Sequence, residues 1–438
     1  MSTNQQDYQK LIAKMNQQML VTDDDRVPLL QQILAKLGHP DHAYQIIHIA
    51  GTNGKGSTGA MLAAVLQKNG YHIGHFSSPA MLDDREQIKI DGQMIGYTDF
   101  LQAYQLINDQ LPANFATNSL SIFEWFTLIA LVAFQQAKVD FVILEVGLGG
   151  TNDATNAISA PLLALITHID YDHTRILGHT IRKIATQKSG IIKTGSTVIV
   201  APHQKRITRT VLRNVAGQQQ VPIHFVNNIR LKVLAHNFTG TTVQISGPLI
   251  PNQTIQLGLI GGFQLDNLAT VLSATTWLQK NNVQLDQRLI HEALAQLKIA
   301  GRMQVVQHHP TVILDGAHNP DGAKQLVLSL KKLAPNHKIT FLLGFLADKN
   351  YLEMLQNYLP LAKEIYVNTP SQHQRALDKD QLSKTIQTHF SFPKEQLFNE
   401  PDAHASLSTA LKHAATDDVI VITGSFYFIK QFEGDQNV

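Results

Sequence analysis

The sequence predicts an α/β protein in two parts. Residues 1–299 form an N-terminal P-loop ATPase-like domain with a parallel sheet plus a small antiparallel sheet, and residues 300–438 form a smaller C-terminal Rossmann-like α/β domain. Three observations predict this. At 45–70 an apolar strand, a glycine loop and a helical run follow one another without a break. Short strands as apolar as Val139–Val146 end repeatedly in polar residues, the signature of strands buried on both faces of a parallel sheet. The alternation of strand-like and helix-like runs then starts afresh near residue 300.

Bulk properties narrow the field. A chain of 438 residues exceeds one ordinary core, and 44% apolar with 16% charged residues fits a globular protein. A net charge of +2 gives no electrostatic case for nucleic acid as a partner. The chain has no cysteine, which excludes disulfides and thiolate metal sites. The start, Met1 to Asp7, lacks the basic and apolar regions of a signal peptide, and no apolar run is long enough to span a bilayer. A cytoplasmic location without membrane association is the expectation.

Taken in order, residues 8–20 carry Tyr8, Leu11, Ile12, Met15, Met19 and Leu20 at helical spacing, and residues 28–37 do the same. The strand Ile46–Ile49 then runs into Gly51, Thr52, Asn53, Gly54, Lys55, Gly56, Ser57 and Thr58, with a helix behind them. Such a loop turns backbone N–H groups inward at the positive end of a helix dipole, which is a phosphate site. Lys55 can reach the outer phosphates and Ser57 or Thr58 can hold magnesium, although the spacing departs from the usual GxxxxGK[ST]. A short strand over 71–76 ends in Ser77-Ser78-Pro79, where Ser77 is either a turn residue or a cation ligand. Thr98 is expected to cap the next helix. A helix follows at about 121–137, with Glu124 in an apolar setting either as a first-turn acid or as a ligand contact.

Glu145 closes the strand Val139–Val146, and ligands gather at such strand ends in open α/β sheets, so a magnesium role is expected. Gly147 and Gly149 do not make a dinucleotide fingerprint, because the third glycine falls at Asn152. The strand Leu162–Thr167 leads to Asp172 and His173, a third polar strand end for which a metal role is favoured. Residues 180–193 read as a helix followed by Ser189-Gly190-Ile191-Ile192-Lys193, and Lys188 opens that turn. The short alternating runs 221–226, 231–234, 242–245 and 254–257 read as a small antiparallel sheet, and helices at 264–280 and 285–297 follow. Beyond Ala300-Gly301-Arg302, strands at 311–315, 338–343, 364–369 and 418–423 alternate with helices at about 320–333, 377–388 and 403–414. Their ends are again polar: Asp315 to Pro320, Gly344 to Lys349, and Gly424 to Tyr427.

These motifs resemble, in order, those of the folylpolyglutamate synthase / dihydrofolate synthase family of the Mur ligase superfamily. They are GTNGKGST at 51–58, SSP at 77–79, FE at 123–124, EVGLGG-x-x-DATN at 145–156, DH-x-x-x-LG at 172–178 and K-x-GIIK at 188–193. Q-x-x-N at 264–267, GRM at 301–303, DGAHNP at 315–320, G-x-L-x-DK at 344–349 and GS-x-Y at 424–427 complete the series, which covers about residues 28–430. The resemblance implies ATP-dependent ligation of L-glutamate to the γ-carboxylate of folate through an acyl phosphate, with dihydropteroate as a second candidate acceptor. It implies that residues 51–58 bind ATP, that Asn267, Arg302 and Asp315 hold ATP across two domains, and that His318 lies close to the reacting groups. It implies two magnesium ions, with Ser77, Glu145 and His173 as ligands and a carboxylated Lys188 supporting the second ion. Ser121, Ile122, Phe123 and Glu124, with Asn152, Asp153 and Ala154, match the pteroate-binding segments. A monomer acting on small molecules is the expected form.

The departures from the family pattern are Ala80 after Ser-Ser-Pro, Gln187 before the lysine, Phe263 before the adenine-site glutamine, and Asn350 closing the DK motif. Ala80 and the pair Asp83-Asp84 bear on the pterin-side loop. Three competing readings remain: a cell-wall Mur ligase, for which only 50 residues precede the loop, a catalytically silent ATP-binding module, and a simple ATPase switch.

Overall fold

The computed structural model describes residues 2–15, 25–112, 115–248, 250–335, 337–370 and 374–432. The chain divides into two compact units, residues 1–229 with 266–293, and residues 230–265 with 294–438.

The first unit is built on eight strands: β1 (Gln45–Ala50), β2 (Ile73–Phe76), β3 (Ile88–Ile90), β4 (Gln93–Met94), β5 (Phe141–Glu145), β6 (Leu163–Ile166), β7 (Thr197–Val200) and β8 (Ile223–Phe225). They lie in the order β4-β3-β2-β5-β1-β6-β7-β8. The stretch from β2 to β8 is parallel, and β3 and β4 add an antiparallel margin beside β2. β5 and β6 are buried along their whole length, as expected for strands covered on both faces. On one face the helix Ile122–Gln136 is buried from Glu124 to Phe134, and its nine apolar residues in that stretch join Phe76, Val142 and Leu144 in one apolar cluster. A second cluster joins Ile166, Val198 and Val200 to Ile184 and Leu212.

Three sequence readings are corrected here. Residues 221–226 are not part of an antiparallel sheet: β8 pairs with β7 in parallel and closes the large sheet. As an edge strand it is only half covered, with Ile223 and Phe225 half-buried and His224 exposed, which produces the alternation of an antiparallel strand. Thr98 is not a cap; Gly96 precedes the helix Tyr97–Gln110, and the Thr98 hydroxyl accepts from Asn4 at 2.7 Å. Lys188 lies in the last turn of the helix Ile181–Ser189, just before the turn expected at 189–193. The N-terminal helix is Thr3–Lys14; Met19 and Leu20 lie outside the described residues.

The second unit contains the three-stranded antiparallel sheet β9 (Arg230–Asn237), β10 (Gly240–Gly247) and β11 (Ile250–Leu257), in the order β11-β10-β9. Its larger sheet comprises β12 (Gln304–His308), β13 (Thr311–Asp315), β14 (Ile339–Leu343), β15 (Ala362–Val367), β16 (Leu397–Phe398) and β17 (Val419–Thr423). The order is β12-β13-β17-β14-β15-β16, with β12 antiparallel and the other pairs parallel. β13, β14 and β17 are buried throughout. The sequence had shown neither the two-residue β16 nor the helix Tyr351–Tyr358, which packs Met354, Leu355 and Tyr358 into this unit's core.

Candidate active site

The phosphate-loop sequence folds as its residue types dictate. β1 delivers the chain to Gly51, and the helix Lys55–Lys68 starts behind Gly54, whose φ of 91° suits glycine. A Cβ at Gly54 would stand 2.3 Å from the Asn267 amide oxygen, and one at Gly51 would stand 1.8 Å from the Thr167 hydroxyl. Both positions therefore accept only glycine without a neighbour moving. The loop is fixed from the next strand over: the N–H groups of Thr52 and Asn53 donate to the His168 carbonyl at 2.8 and 3.2 Å, and the Thr52 hydroxyl donates to the Asp170 carbonyl at 2.9 Å. Thr58, in the first turn of the helix, lies 3.5 Å from Asn267 Oδ1. Gly54, Thr58 and Asn267, distant in sequence, thus meet at the helix start.

Two lysines share one carbonyl. Lys188 Nζ donates to Gly51 O at 2.8 Å, and Lys55 Nζ donates to the same oxygen at 3.3 Å. Lys55 Nζ also lies 3.8 Å from Glu145 Oε1, and both side chains are largely buried. Burial, with the neighbouring charge of Lys55, pushes the Lys188 ammonium down to about 7, against the opposing pull of Asp172 and Asp153. Asp153 is buried and held by Leu148 N–H at 2.8 Å and Thr155 Oγ1 at 2.5 Å. Desolvation raises its carboxyl above the ordinary range in spite of those bonds.

The expected metal ligands occupy one edge of the sheet. Ser77 follows β2 and Glu145 ends β5; these strands pair in parallel with Phe76 beside Leu144, so the two residues leave the sheet at the same level. His173 lies beyond β6 in a left-handed conformation (φ 47°) that opens the short helix Thr174–Leu177. The donor set of hydroxyl, carboxylate and imidazole at these carboxyl ends suits a hard divalent cation.

Of the pteroate-segment residues, Ser121 and Glu124 form a reciprocal capping box on the helix Ile122–Gln136. Glu124 also receives Arg26 Nε at 2.6 Å and Arg26 Nη2 at 3.1 Å. That partner had no signal in the sequence. Phe123 lies between two strand ends, its ring 5.6 Å from Phe76 and 2.5 Å from where a Gly147 Cβ would stand. Ile122 is half-buried, Ala154 is buried, and Asn152 is exposed. In the altered loop after Pro79, Asp83 caps the turn Asp84–Gln87 and binds Arg85, whose guanidinium lies 3.4 Å above the Tyr97 ring.

The second unit brings together Arg302, Asp315 and His318. Asp315 ends β13 and accepts from Met303 N–H and Ala317 N–H, both at 2.9 Å. Burial raises its carboxyl above the ordinary range, while Arg302 and these bonds pull it back. His318 Nδ1 is 2.9 Å from Gly316 O. Phe426 forms the platform: the Arg302 guanidinium lies 4.5 Å from its ring centre and the His318 ring 6.0 Å. Phe426 carried no role in the sequence reading; its place in the GS-x-Y motif was the available signal.

Known proteins are similar to this chain along most of its length. Residues 49–275 match the Mur ligase middle domain and residues 301–426 the Mur ligase glutamate ligase domain. A dihydrofolate synthase/folylpolyglutamate synthase of Bacillus subtilis is 32% identical over 413 residues, covering 91% of this chain and 92% of that protein. A folylpolyglutamate synthase of Lacticaseibacillus casei is 29% identical, covering 90% of each chain. Among solved structures, Mycobacterium tuberculosis folylpolyglutamate synthase complexed with ADP and AMPPCP superposes with a TM-score of 0.84 at 26% identity over 98% of both chains. Escherichia coli FolC in complex with DHPP and ADP gives 0.84 at 27% identity, over 97% of this chain and 96% of that one. On these similarities along most of its length, the chain belongs to the dihydrofolate synthase/folylpolyglutamate synthase family of Mur ligases.

Proposed function

We propose that this protein is an ATP-dependent ligase that joins L-glutamate to the γ-carboxylate of a folate, with dihydropteroate as a second acceptor to be tested. The observation that carries the reading is the cluster around the Gly51 carbonyl: Lys55, Lys188 and Glu145 gathered at a glycine loop on the carboxyl ends of parallel strands. In this reading residues 1–299 serve ATP and the acceptor, and residues 300–438 serve glutamate transfer.

A carboxylate does not react directly with an amine, because an oxide would have to leave. ATP solves this: a γ-carboxylate oxygen displaces ADP from the terminal phosphorus, and the glutamate amine then expels phosphate from the mixed anhydride. The chain contributes position and charge. Lys55 and the N–H groups at the start of the helix Lys55–Lys68 serve the phosphates, where fixed cationic and dipolar groups stabilise the charge of the transferring phosphoryl group, while the Thr52 and Asn53 N–H groups hold the loop to the His168 carbonyl. Thr58 and Asn267 belong to the same nucleotide site. In the second unit Asp315 and Arg302 serve the nucleotide, and His318 serves the reacting groups. The segments 121–124 and 152–154 hold the pteroate.

Magnesium fits Ser77, Glu145 and His173 on their donor chemistry, and when bound it neutralises phosphate charge and sharpens the electrophilicity of phosphorus. Lys188 suits carboxylation: with its ammonium pushed down to about 7, a substantial neutral fraction is present near neutral pH, and the neutral amine is the form that adds to carbon dioxide. A cytoplasmic monomer completes the reading. Among the described residues, no helix is long and apolar enough to cross a membrane.

The test is ATP-dependent incorporation of labelled L-glutamate, run in parallel with dihydropteroate and with a tetrahydrofolate. Incorporation into both identifies a bifunctional synthase. Incorporation into the folate alone identifies a dedicated polyglutamylating enzyme and directs attention to the loop after Pro79. ATP turnover independent of both acceptor and glutamate would refute the ligase reading in favour of an ATPase switch.

A further inference from the structure

At the opposite end of β1 from the phosphate loop, His39, Asp41 and His42 converge. Each offers one ligand atom, and the three atoms lie within 4.8 Å of one another. The cluster forms on a single tight turn, Pro40–His42, which His39 enters in a left-handed conformation (φ 55°). In a 3₁₀ turn residues three apart eclipse, so His39 and His42 come to one side. Their rings are parallel, 7° apart, with centres separated by 4.6 Å. Asp41 lies beneath them, its side chain 1% exposed, while the two imidazoles are 44% and 57% exposed. β1 has six residues, which at roughly 3.3 Å each span about 20 Å, so this cluster is separate from the nucleotide site.

The buried carboxylate is only half used by hydrogen bonds. Its Oδ2 accepts from Ser159 N–H at 2.8 Å. Its Oδ1 is buried without a hydrogen-bond partner among the described residues and faces His39 Nδ1 at 3.6 Å, too far for a hydrogen bond. Oδ2 is 3.7 Å from His42 Nε2. Lys193, whose ammonium responds to the charge of Asp41, is directed at the carbonyls of Asn156 and Ile158, at 2.7 and 2.5 Å. A buried carboxylate oxygen with no hydrogen bond is costly unless something else satisfies it.

We propose that His39, Asp41 and His42 form a binding site for a zinc-class divalent cation. Two imidazole nitrogens and one carboxylate oxygen are the protein ligands of many three-ligand zinc sites. Bonds of about 2.0–2.2 Å place neighbouring ligands of a tetrahedral ion roughly 3.3–3.6 Å apart. The separation of His39 Nδ1 from Asp41 Oδ1, 3.6 Å, is already close to that, while His42 Nε2 faces the other carboxylate oxygen, Oδ2, at 3.7 Å. Parallel rings cannot both direct a lone pair at one ion, so one must turn out of the stack, a rotation that a half-exposed side chain makes at low cost. His42 exchanges its 2.6 Å contact with the Ser159 hydroxyl for the ion. The cation then cross-links the turn that feeds β1.

The experiment is calorimetric titration of the full chain with Zn²⁺ in saturating Mg²⁺, which occupies the hard oxygen sites. Wild type, the double variant His39→Ala/His42→Ala, and His173→Ala are compared. Both substituted rings in the double variant are half exposed, so its fold is retained, which a thermal melt checks. The expected result is one Zn²⁺ fewer in the double variant, or at least a tenfold weaker site, with that site intact in His173→Ala. Zn²⁺ should also raise the melting temperature of wild type and not of the double variant. A stoichiometry and affinity unchanged by the double substitution would overturn the proposal, and so would a site that His173→Ala removes.

Discussion

The strand ends of the two units solve the same problem with different chemistry. In the first, two lysines and a glutamate crowd around one backbone carbonyl, and the charges act on each other directly: Lys55 helps push Lys188 down. In the second, the acid is satisfied by two backbone N–H groups, and the cationic and imidazole groups lie against a phenylalanine ring. The first cluster is electrostatic, with each charge set against its neighbours. The second is a packed assembly in which shape sets where Arg302 and His318 point. The same type of sheet edge therefore gathers charges around a carbonyl in one unit and packs charged groups on an aromatic ring in the other.

The largest effect should come from removing charge in the first unit. Lys55→Ala should lower glutamate incorporation by about a thousandfold or more, within the range seen when a fixed stabilising group is lost. Its melting temperature should stay near that of wild type, because Lys55 makes one long bond to Gly51 O and a 3.8 Å approach to Glu145. Arg302→Ala, which leaves its platform in place, should cost about ten- to a hundredfold. Steady-state kinetics on both variants checks the order, and a larger loss in Arg302→Ala would reverse the contrast between the two clusters.

The sequence shows the first cluster more clearly than the second for a physical reason. Glycine, lysine and an acid at the end of an apolar strand are local signals, and Gly51, Lys55 and Glu145 could be read from their own neighbourhoods. Thr167 and the His168 carbonyl, which fix the loop, act through pairing between strands more than a hundred residues apart in sequence and leave no local mark. Glu124 carried a real ambiguity between cap and ligand contact; the capping box is visible as Ser121 to Glu124, but Arg26 arrives from 98 residues away. Phe426 sat in a recognised motif, yet nothing about a phenylalanine predicts that a guanidinium will stack on it. β8 shows the converse error: exposure at the sheet margin gave a parallel strand an antiparallel pattern.

A middle-sized effect would sharpen the claim that shape governs the second cluster. A Cβ at Gly316 would stand 2.3 Å from the Phe426 ring, so Gly316→Ala must push the ring aside. Overpacking of this kind costs about 1–3 kcal/mol. Here it also moves the surface under Arg302 and His318, so kcat/KM should fall by about tenfold or more. The double variant Gly316→Ala/Phe426→Leu makes room for the methyl group and should regain stability without regaining activity. Recovery of both would mean that the ring is a spacer rather than a platform.

The smallest effect concerns acid. His48, fully buried in β1, is held well below its ordinary pKa, first by desolvation and then by the charge of Lys193; its Nε2 is 2.9 Å from Thr155 Oγ1. With the folded-state pKa depressed, the unfolded chain binds the extra proton first, so stability is lost as pH falls below about 6.5, by about 1.4 kcal/mol per pH unit for one proton. Asp153 in the first unit and Asp315 in the second are both raised by burial, so falling pH favours the fold at each, and their contributions do not distinguish the units. His75 and His236, also depressed by burial, act alike in any pair of variants that retains them. His48→Gln keeps an amide able to bond Thr155 and removes the titration. Denaturant unfolding of wild type and His48→Gln between pH 7 and 5 should therefore differ in slope by one proton below pH 6.5. Parallel slopes would show that the imidazole under the phosphate loop gains a proton without cost, and that charge in the first unit is less tightly policed than its lysine pair implies.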